Sequence, residues 1–523
     1  MKNIKDYLIP ILIWIVIFGK NILSKLLFVD YTIATKPFLL NNLIINNYTS
    51  SINIINILRE LTLSLSTIFF QLTILTFFII SYHYIKKLTK HKLLTTIIFL
   101  FNPFIYTKIM IGQLGIIVAY LLLPLLIYQI KKRNLLKLAI ITTIIGALTP
   151  HFLIISLIIC LIGLYKKIKI KQALKFLLIV FLLNLFWIQG LLAGGMLEEI
   201  NPNHEDFFKP TLSQNVPAVA KIIGMWGFWR EAAHETTYNI LPLPVWYLSI
   251  AALIFLLIAS YHYKKEEDSK FFYILFWIGL ILGTGAAHPL TANLFNYLFN
   301  NLPFFNGFRD SHKFTALIAL AYAFLIPKLT KSNIQRILII ALILITTLPL
   351  ITIPVTNTDY PESYEELNTY LNQQEINGHI IYLPWQQYLS YTWTKDTTSD
   401  GRIGVPINEV TNEPVIEGPD EYGGNSGIRL EISNCKNNKE CLKNLGIQYI
   451  IKDTCAIYPD NYEWLTNPEY ENDCLKLYNL EGTKQKQSIP LRFTFSIIIS
   501  LLTFIYVVKQ LLNKKQAKLQ KHK

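Results

Sequence analysis

Charged residues are scarce in this sequence, and the acidic ones are the scarcer kind. Asp, Glu, Lys and Arg make up 16% of the 523 residues, with 34 acidic against 48 basic side chains. Apolar residues make up 52%, and the mean hydropathy of +0.37 is too high for an ordinary soluble enzyme. Apolar runs long enough to cross a bilayer recur along the chain, so the lipid bilayer is the first partner that the sequence implies.

The formal net charge of +14 does not indicate nucleic-acid binding, because the basic residues fall in short clusters between apolar runs. These clusters are Lys86-Lys87, Lys131-Lys132-Arg133, Lys166-Lys167, Lys264-Lys265 and Lys514-Lys515. Short basic clusters of this kind mark the cytoplasmic side of a membrane protein. We therefore predict no nucleic-acid partner and a multi-pass protein of the cell membrane.

The alternation of apolar runs and basic clusters predicts a polytopic α-helical membrane protein with about 12 transmembrane helices and both termini in the cytoplasm. Basic clusters at both ends of residues 135–165 predict two short spans that turn at Thr149-Pro150-His151, and one long span is the alternative. The predicted spans are about 7–28, 60–84, 93–109, 112–130, the two within 135–165, 172–192, 244–262, 271–288, 314–329, 336–354 and 490–512.

Residues 355–488 differ sharply in composition from the rest. They hold 21 of the 34 acidic residues against 10 Lys and Arg, and four of the five cysteines. An even number of cysteines in one outward-facing domain indicates two disulfides in an oxidising space, and four free thiols are the alternative. We favour the pairs Cys435–Cys441 and Cys455–Cys474, although four cysteines allow three pairings. The spacing lacks the CxxC knuckle of a zinc site.

This polar region is predicted to be an extracytoplasmic α/β domain. Residues Ser363–Gln374 have a helical pattern, and His379–Leu383 and Ile447–Lys452 have the pattern of strands. The region contains no nucleophile elbow, P-loop or metal motif, so a lid or acceptor-binding module is favoured over a catalytic unit. The predicted organisation is a multi-span domain 1–354, the α/β domain 355–488, and a final helix with a basic cytoplasmic tail, 489–523.

The stretch FFNGFRDSHKF, residues 304–314, places four ionisable side chains directly before an apolar run. They are Arg309, Asp310, His312 and Lys313. Charge at the mouth of a membrane helix is costly unless it is compensated. An Arg and a Lys at a membrane boundary suit a phosphate group, so a phosphate clamp is the functional interpretation. The alternative is that Arg309 and Lys313 extend toward water and pair with Asp310.

Three further regions carry candidate site residues. Asp30 follows the first span, where a carboxylate could act as a general base or hold a divalent cation, or could be a solvated loop residue. Glu60, beside Arg59, is either an interfacial ion-pair member or a substrate ligand. The stretch MWGFWREAAHETTY contributes the last group, which serves either membrane anchoring or substrate contact: Trp229, Arg230 and Glu235.

Several stretches resemble the GT-C class of polytopic glycosyltransferases, and within it arabinofuranosyltransferase-like membrane proteins with a large extracytoplasmic domain near the C-terminus. The matching stretches are NPFIYTKIMIGQLG (102–115), LLLPL (121–125), LTPHF (148–152), GFRDSHKF (307–314), GHIIYLPW (378–385) and LGIQYIIKD (445–453). The first and third of these contain Gln113 and His151, which join the substrate-binding candidates. The resemblance implies a polyprenyl-phosphate-linked sugar as donor. It also implies Asp30 as catalytic base, and Arg309 and Lys313, with His312 between them, at the donor phosphate.

These observations lead to one favoured function and two alternatives. The favoured one is transfer of a sugar from a polyprenyl-phosphate donor to an extracytoplasmic glycan, lipid or protein acceptor, with inversion at the sugar carbon. The first alternative is a non-enzymatic membrane protein whose outer domain binds glycan or organises cell-surface assembly. A lipid or polysaccharide transporter is disfavoured, because the ionisable residues lie at one boundary and not along a midplane path. No metal ligand set is predicted, and the cofactor stays open, with a divalent cation as one candidate.

Overall fold

The computed structural model describes most of the helical part and most of the sheet domain. The described residues are 7–18, 67–193, 217–228, 251–254, 256–258, 267–302, 305–330, 332–347, 360–394, 402–413, 415–419, 428–435, 437–458, 462, 464–483 and 491–520.

The first part of the described chain is helical, with one large apolar core running through it. Its helices are α1 Leu8–Phe18, α2 Thr67–Leu88, α3 Lys92–Leu100, α4 Pro103–Ile111, α5 Leu114–Leu121, α6 Leu123–Lys132, α7 Leu135–Leu148, α8 Pro150–Leu164, α9 Ile170–Ala193, α10 Ala218–Ile223, α11 Glu267–Thr284, α12 Pro289–Asn301, α13 Thr315–Leu325 and α14 Asn333–Thr346.

Five segments of the described chain are long and apolar enough to cross a membrane. They are Leu114–Lys132, Ile170–Gln189, Asp268–Ala287, Ser311–Leu329 and Thr494–Lys514, and four shorter apolar helices accompany them. A chain with such helices is a membrane protein, as the sequence predicts. The count of 12 spans stays a prediction.

The predicted span 93–109 is divided into α3 and α4 by Asn102 and Pro103. The Asn102 side chain closes both helix ends, since its Nδ2 donates to Phe99 O at 2.8 Å and its Oδ1 accepts from Ile105 N at 3.1 Å. Proline suits the first turn of a helix because its missing N–H would have no partner there. Helix α4 then ends at Gly112, which has a left-handed φ of 83°. Asn102 is buried, and its side chain forms hydrogen bonds with backbone groups on both sides of the break.

The turn predicted at Thr149-Pro150 is observed. Helix α7 ends at Thr149, whose extended backbone (φ −161°, ψ 126°) starts α8 with Pro150 in its first turn. The two helices pack side by side, and a Cβ at Gly146 would lie 2.9 Å from Leu153 Cβ. The two-span interpretation of residues 135–165 thus fits the structure, and the single long helix does not.

Helix α12 occupies the stretch between the predicted spans 271–288 and 314–329. His288 caps it by accepting a hydrogen bond from Leu290 N, and Pro289 opens its first turn. It buries Phe295 and Phe299 against the bundle and exposes Tyr297. It is therefore an amphipathic helix that covers the bundle beside the stretch 305–314.

The second part is an α/β domain, as predicted. Its helices are α15 Glu362–Leu371, α16 Ile407–Val410, α17 Ile428–Cys435 and α18 Lys439–Asn444, and its strands are β1 His379–Leu383, β2 Tyr388–Ser390, β3 Arg402–Gly404, β4 Val415–Ile416, β5 Ile447–Asp453, β6 Tyr470–Glu471 and β7 Leu475–Asn479. The main sheet has the order β4-β1-β5-β7-β6, in which β1 runs parallel to β4 and β5 while β7 is antiparallel to its neighbours. Strands β2 and β3 form a separate antiparallel pair.

Side chains alternate between two apolar clusters on opposite faces of this sheet. In β1, Ile380 and Tyr382 join the cluster that contains α15 residues. Ile381 and Leu383 join the other cluster, which contains residues of α17 and α18. Helices therefore cover both faces, which explains why β1 is apolar at successive positions.

Both predicted disulfides are present. Cys435 is bonded to Cys441 and Cys455 to Cys474, with Cα–Cα distances of 5.5 and 5.0 Å. Cys160 is free and buried in α8. The final helix, α19 Leu491–Gln520, packs along α9, where Ser500 Oγ donates to Leu182 O at 2.9 Å.

Candidate functional site

The stretch 305–314 lies between α12 and α13 and is largely buried. It forms two 3₁₀ turns, Phe305–Phe308 and Ser311–Phe314, with Arg309 and Asp310 between them. Phe308 stacks on Phe314, with ring centroids 4.5 Å apart. The aromatic side chains thus fold the stretch back on itself and bring its charged residues against the bundle.

A buried ion-pair cluster lies at the centre of this stretch. Oδ2 of Asp310 lies 3.1 Å from Nζ of Lys108, on α4, and 3.3 Å from Nζ of Lys313. The side chains are 5%, 0% and 8% exposed, respectively. Two ammonium groups therefore converge on one carboxylate oxygen inside the protein. The three side chains by themselves carry one net positive charge.

Aromatic rings enclose this cluster. Nζ of Lys108 lies 4.1 Å from the centroid of the Phe228 ring, which is a cation–π contact. His312 stacks against Phe104 at 5.8 Å, and its Nε2 lies 3.3 Å from Met225 O. Rings of this kind exclude water, which strengthens every electrostatic interaction within the cluster.

Two hydrogen bonds fix the stretch to other helices. Nε2 of His151, at the start of α8, lies 2.7 Å from Gly307 O. Ser311 Oγ donates to Gly283 O, on α11, at 2.9 Å. Together with Lys108 on α4, these contacts tie the stretch to three helices that are far apart in sequence. The position of Asp310 is therefore set by the whole bundle.

Two buried polar atoms of the cluster have no hydrogen-bond partner among the residues that the structure describes. They are Oδ1 of Asp310 and Nδ1 of His312. A buried polar atom without a partner costs about 1–3 kcal/mol, so each such atom in a native site needs an explanation. A polar ligand seated in the cluster would supply one.

The site residues that were predicted from the sequence and that the structure describes lie in or near this cluster. Asp310, His312 and Lys313 belong to it, and His151 anchors the same stretch. Arg309 is half-buried in the bend between the two 3₁₀ turns. The backbone N–H of Gln113 donates to Lys108 O at 2.9 Å, which fixes the end of α4.

Five other candidates lie outside the described residues, so their roles stay predictions. They are Asp30, Glu60, Trp229, Arg230 and Glu235. Among the described residues no group of three or more His, Cys, Asp or Glu side chains is placed to hold a metal ion. The cluster itself does not suit a divalent cation, because the two ammonium groups beside Asp310 would repel it.

Lys108 was not singled out from the sequence, whereas Phe228 belongs to the stretch MWGFWREAAHETTY, whose aromatic side chains suit either a membrane boundary or the face of a sugar. Lys108 stands alone within the apolar stretch of α4, which is the signal that could have identified it. A second fully buried lysine, Lys221 on α10, gives the same signal. A lysine in such a place needs a partner, but the sequence does not reveal which residue supplies it.

The fold resembles solved structures of the arabinofuranosyltransferase AftD from Mycobacteria. One gives a TM-score of 0.57 at 12% identity and covers 87% of this chain and 35% of the AftD chain. Two structures of an AftD mutant give TM-scores of 0.53 and 0.52 at 11% and 12% identity, and each covers 92% of this chain and 42% of the mutant chain. This chain thus spans less than half the length of the proteins it resembles.

No protein-family model and no curated protein sequence matches the chain. An identity of 12% shows the fold alone. The chain therefore shares its fold with a part of the arabinofuranosyltransferase AftD, and the resemblance that its sequence stretches indicate is confirmed at that level.

Proposed function

We propose that this chain is a membrane glycosyltransferase that takes a sugar from a polyprenyl-phosphate donor and transfers it to an extracytoplasmic glycan, lipid or protein acceptor. The observation that carries the proposal is the buried cluster of Lys108, Asp310 and Lys313 at the start of an apolar helix. The AftD fold supports the same reaction class, because AftD is an arabinofuranosyltransferase by name. The identity of the sugar is left open.

The two lysines would act on the leaving phosphate. Both Nζ atoms lie within 3.3 Å of one Asp310 oxygen, so they are close enough together to contact one small anion. Breaking the sugar–phosphate bond leaves extra negative charge on the phosphate. Ammonium groups that are fixed in a buried site stabilise that charge more in the transition state than in the ground state. Arg309, next to Asp310, is a third cation for the same phosphate.

Asp310 and His312 would be positioning residues. Asp310 holds both ammonium groups on one side, and its second oxygen is free to accept a hydrogen bond from a donor hydroxyl. His312 has its Nε2 at Met225 O, so Nδ1 is the ring nitrogen directed away from that contact. Asp310 would keep Lys108 and Lys313 in place without touching the bond that breaks.

Asp30 remains the proposed general base. In this proposal its carboxylate removes the proton from the acceptor hydroxyl as that oxygen attacks the sugar carbon, while the phosphate leaves from the opposite face. A single displacement of this kind inverts the configuration of the sugar carbon. The α/β domain, with its two disulfides, would serve as a lid or an acceptor-binding module outside the membrane.

The test uses membranes that contain the full chain and a panel of labelled polyprenyl-phosphate pentoses and hexoses. We expect transfer of one labelled sugar, a loss of about 10²- to 10³-fold in Lys313→Ala, and a larger loss in Asp30→Asn. Lys509→Ala is the matched control, because Lys509 is an exposed lysine on α19. Immunoblots show whether each variant reaches the membrane.

Two outcomes contradict the proposal. The first is unchanged transfer in both site variants. The second is the absence of transfer from every donor by a chain that still binds glycan, which would favour the non-enzymatic alternative.

A further inference from the structure

Helix α12 carries a row of exposed apolar side chains. Leu290, Leu294 and Tyr297 are 86%, 47% and 65% exposed. Their spacing of i, i+4 and i+7 places them on one side of the helix. Phe295 and Phe299 occupy another side and are buried against the bundle. Helix α12 therefore has two separate apolar faces, and packing among the described residues accounts for only one of them.

A third side of α12 is polar. Asn293 and Asn300 are exposed there, and their spacing places them on one side of the helix. The sequence of α12, PLTANLFNYLFNN, contains no Asp, Glu, Lys or Arg. A helix with an apolar face beside a polar one is typical of helices that lie in the plane of a membrane surface, with the apolar face among the acyl chains.

The place of α12 in the chain puts it at a membrane boundary. It lies between two segments of membrane length, Asp268–Ala287 and Ser311–Leu329. The adjoining ends of these segments are joined by the hydrogen bond from Ser311 Oγ to Gly283 O. The chain therefore leaves the bundle and returns to it at the same level. The 13 residues of α12 span about 20 Å, which is too short to cross a hydrocarbon core of about 30 Å.

The helix that precedes α12 already presents a lipid-facing surface. Ile274, Trp277 and Ile281 are exposed on α11, and their spacing places them on one side of a segment of membrane length. Exposed apolar side chains on such a segment face the acyl chains. Leu290 is the next exposed large apolar residue in the chain. The exposed row on α12 thus follows directly on a surface that faces lipid.

The buried face of α12 is joined to the stretch that holds the ion-pair cluster. The ring centroids of Phe295 and Phe305 are 5.6 Å apart. Phe305 in turn stacks on Phe314, with centroids 6.1 Å apart. The depth of α12 in a bilayer therefore also sets the depth of the stretch 305–314.

We propose that α12 lies flat in the interfacial layer of the bilayer. Leu290, Leu294 and Tyr297 contact the acyl chains of the leaflet at this end of the bundle, and Asn293 and Asn300 face the headgroups and water. The helix thereby holds the buried ion-pair cluster near the depth of the lipid headgroups. The position of α12 does not depend on the glycosyltransferase assignment.

The experiment uses the full chain in phosphatidylcholine vesicles, with a spin label on one added cysteine at a time. Electron paramagnetic resonance compares collisions of the label with oxygen, which concentrates among acyl chains, and with a water-soluble nickel chelate. Labels on Leu290→Cys, Leu294→Cys and Tyr297→Cys should collide mainly with oxygen, at a depth of about 5–10 Å below the headgroups. Asn293→Cys and Asn300→Cys are the matched controls on the same helix, and their labels should collide mainly with the chelate.

The native cysteines do not interfere, because Cys160 is buried and the other four form disulfides. All five substituted side chains are exposed, so the variants should keep the helix content of the unmodified chain, which circular dichroism measures. The proposal is overturned if labels at the three apolar positions meet the chelate as often as labels at the two asparagines, since the row would then face water. It is also overturned if both reagents are excluded from the apolar positions, since protein would then cover them.

Discussion

The Nζ of Lys108 lies 3.1 Å from Oδ2 of Asp310, although 202 residues separate the two in the chain. This contact joins α4 to the stretch that precedes α13. Both side chains are buried, so each charge depends on the other for its stability. The pair therefore determines whether the candidate site assembles at all.

Removing one member of this pair should destabilise the protein strongly. We expect Asp310→Asn to lower the free energy of unfolding by about 3–5 kcal/mol, because Lys108 and Lys313 lose the carboxylate that they share. Lys108→Met should cost less, because Asp310 keeps its contact with Lys313. The double variant should lose less than the sum of the two single variants. Unfolding of the detergent-solubilised chain, followed by circular dichroism, measures all three.

The Lys131–Asp268 pair is the control for this cycle. Its ions are 2.6 Å apart but 38% and 53% exposed, so Lys131→Met should cost no more than about 1 kcal/mol. If breaking either pair lowered the free energy of unfolding equally, burial would not explain the cost of breaking the Lys108–Asp310 pair.

Gly285 should not tolerate a side chain. Its φ is +55°, and a Cβ there would lie 2.7 Å from Ser311 Oγ. We expect Gly285→Ala to cost about 1–2 kcal/mol in backbone strain and to displace Ser311 from Gly283. Both the free energy of unfolding and the rate of sugar transfer should fall, because Ser311 follows Asp310 directly.

Gly307→Ala is the matched glycine control in the same region. The nearest atom to its Cβ would be His151 Nε2, at the ordinary contact distance of 3.8 Å. This variant should unfold like the unmodified chain, and a loss as large as that of Gly285→Ala would show that the region rejects any added methyl group.

The α/β domain should lose stability in alkali. Burial and the Asp453 carboxylate hold the pKa of the Tyr364 and Tyr382 phenols well above 10.0. Both phenols donate to Asp453, Tyr382 at 2.5 Å. Above about pH 10 the unfolded chain loses protons that the folded domain keeps. The free energy of unfolding should therefore fall by about 1.4 kcal/mol per pH unit for each phenol.

Urea unfolding of the full chain at increasing pH measures this slope, with tyrosinate absorbance as a second signal. Tyr382→Phe removes one titrating group and should reduce the slope by about one proton. Asp453→Asn keeps the burial but removes the charge, so it should reduce the slope by less. A slope unaffected by Tyr382→Phe would show that this phenol ionises equally in both states.

The two disulfides should contribute unequally to stability. The Cys455–Cys474 bond closes 19 residues and the Cys435–Cys441 bond closes 6. Loop-closure entropy then gives about 3 kcal/mol for the longer loop and about 2 kcal/mol for the shorter one. The difference is measured by comparing the free energies of unfolding of two double variants. One carries Cys455→Ser with Cys474→Ser, and the other carries Cys435→Ser with Cys441→Ser. Peptide mapping under non-reducing conditions checks the pairing. Bonds between other cysteines than these would contradict the predicted order of the two contributions.

Local patterns predicted the α/β domain well. Strand β1 has the predicted bounds, His379–Leu383, and β5 extends one residue beyond the prediction, to Asp453. Both strands are short apolar runs bounded by polar residues, which is a signal contained within a few positions. The disulfide pairs were also local, since each joins the nearest cysteines in sequence.

Tertiary packing decided the features that the sequence did not predict. Residues 289–301 contain four asparagines, which are poor helix formers, yet Phe295 and Phe299 pack on the bundle and make the stretch a helix. The partner of Lys313 was considered from sequence, because Asp310 lies three positions away. Lys108 was not considered, since a contact across 202 residues leaves no local pattern.

The distance in sequence between Lys108 and Asp310 also has a consequence for biosynthesis. At about 5–20 residues per second, translation reaches Asp310 roughly 10–40 s after it has passed Lys108. When α4 is synthesised, the carboxylate that pairs with Lys108 in the finished protein does not yet exist. The Lys108–Asp310 contact can therefore form only after the ribosome has passed residue 310.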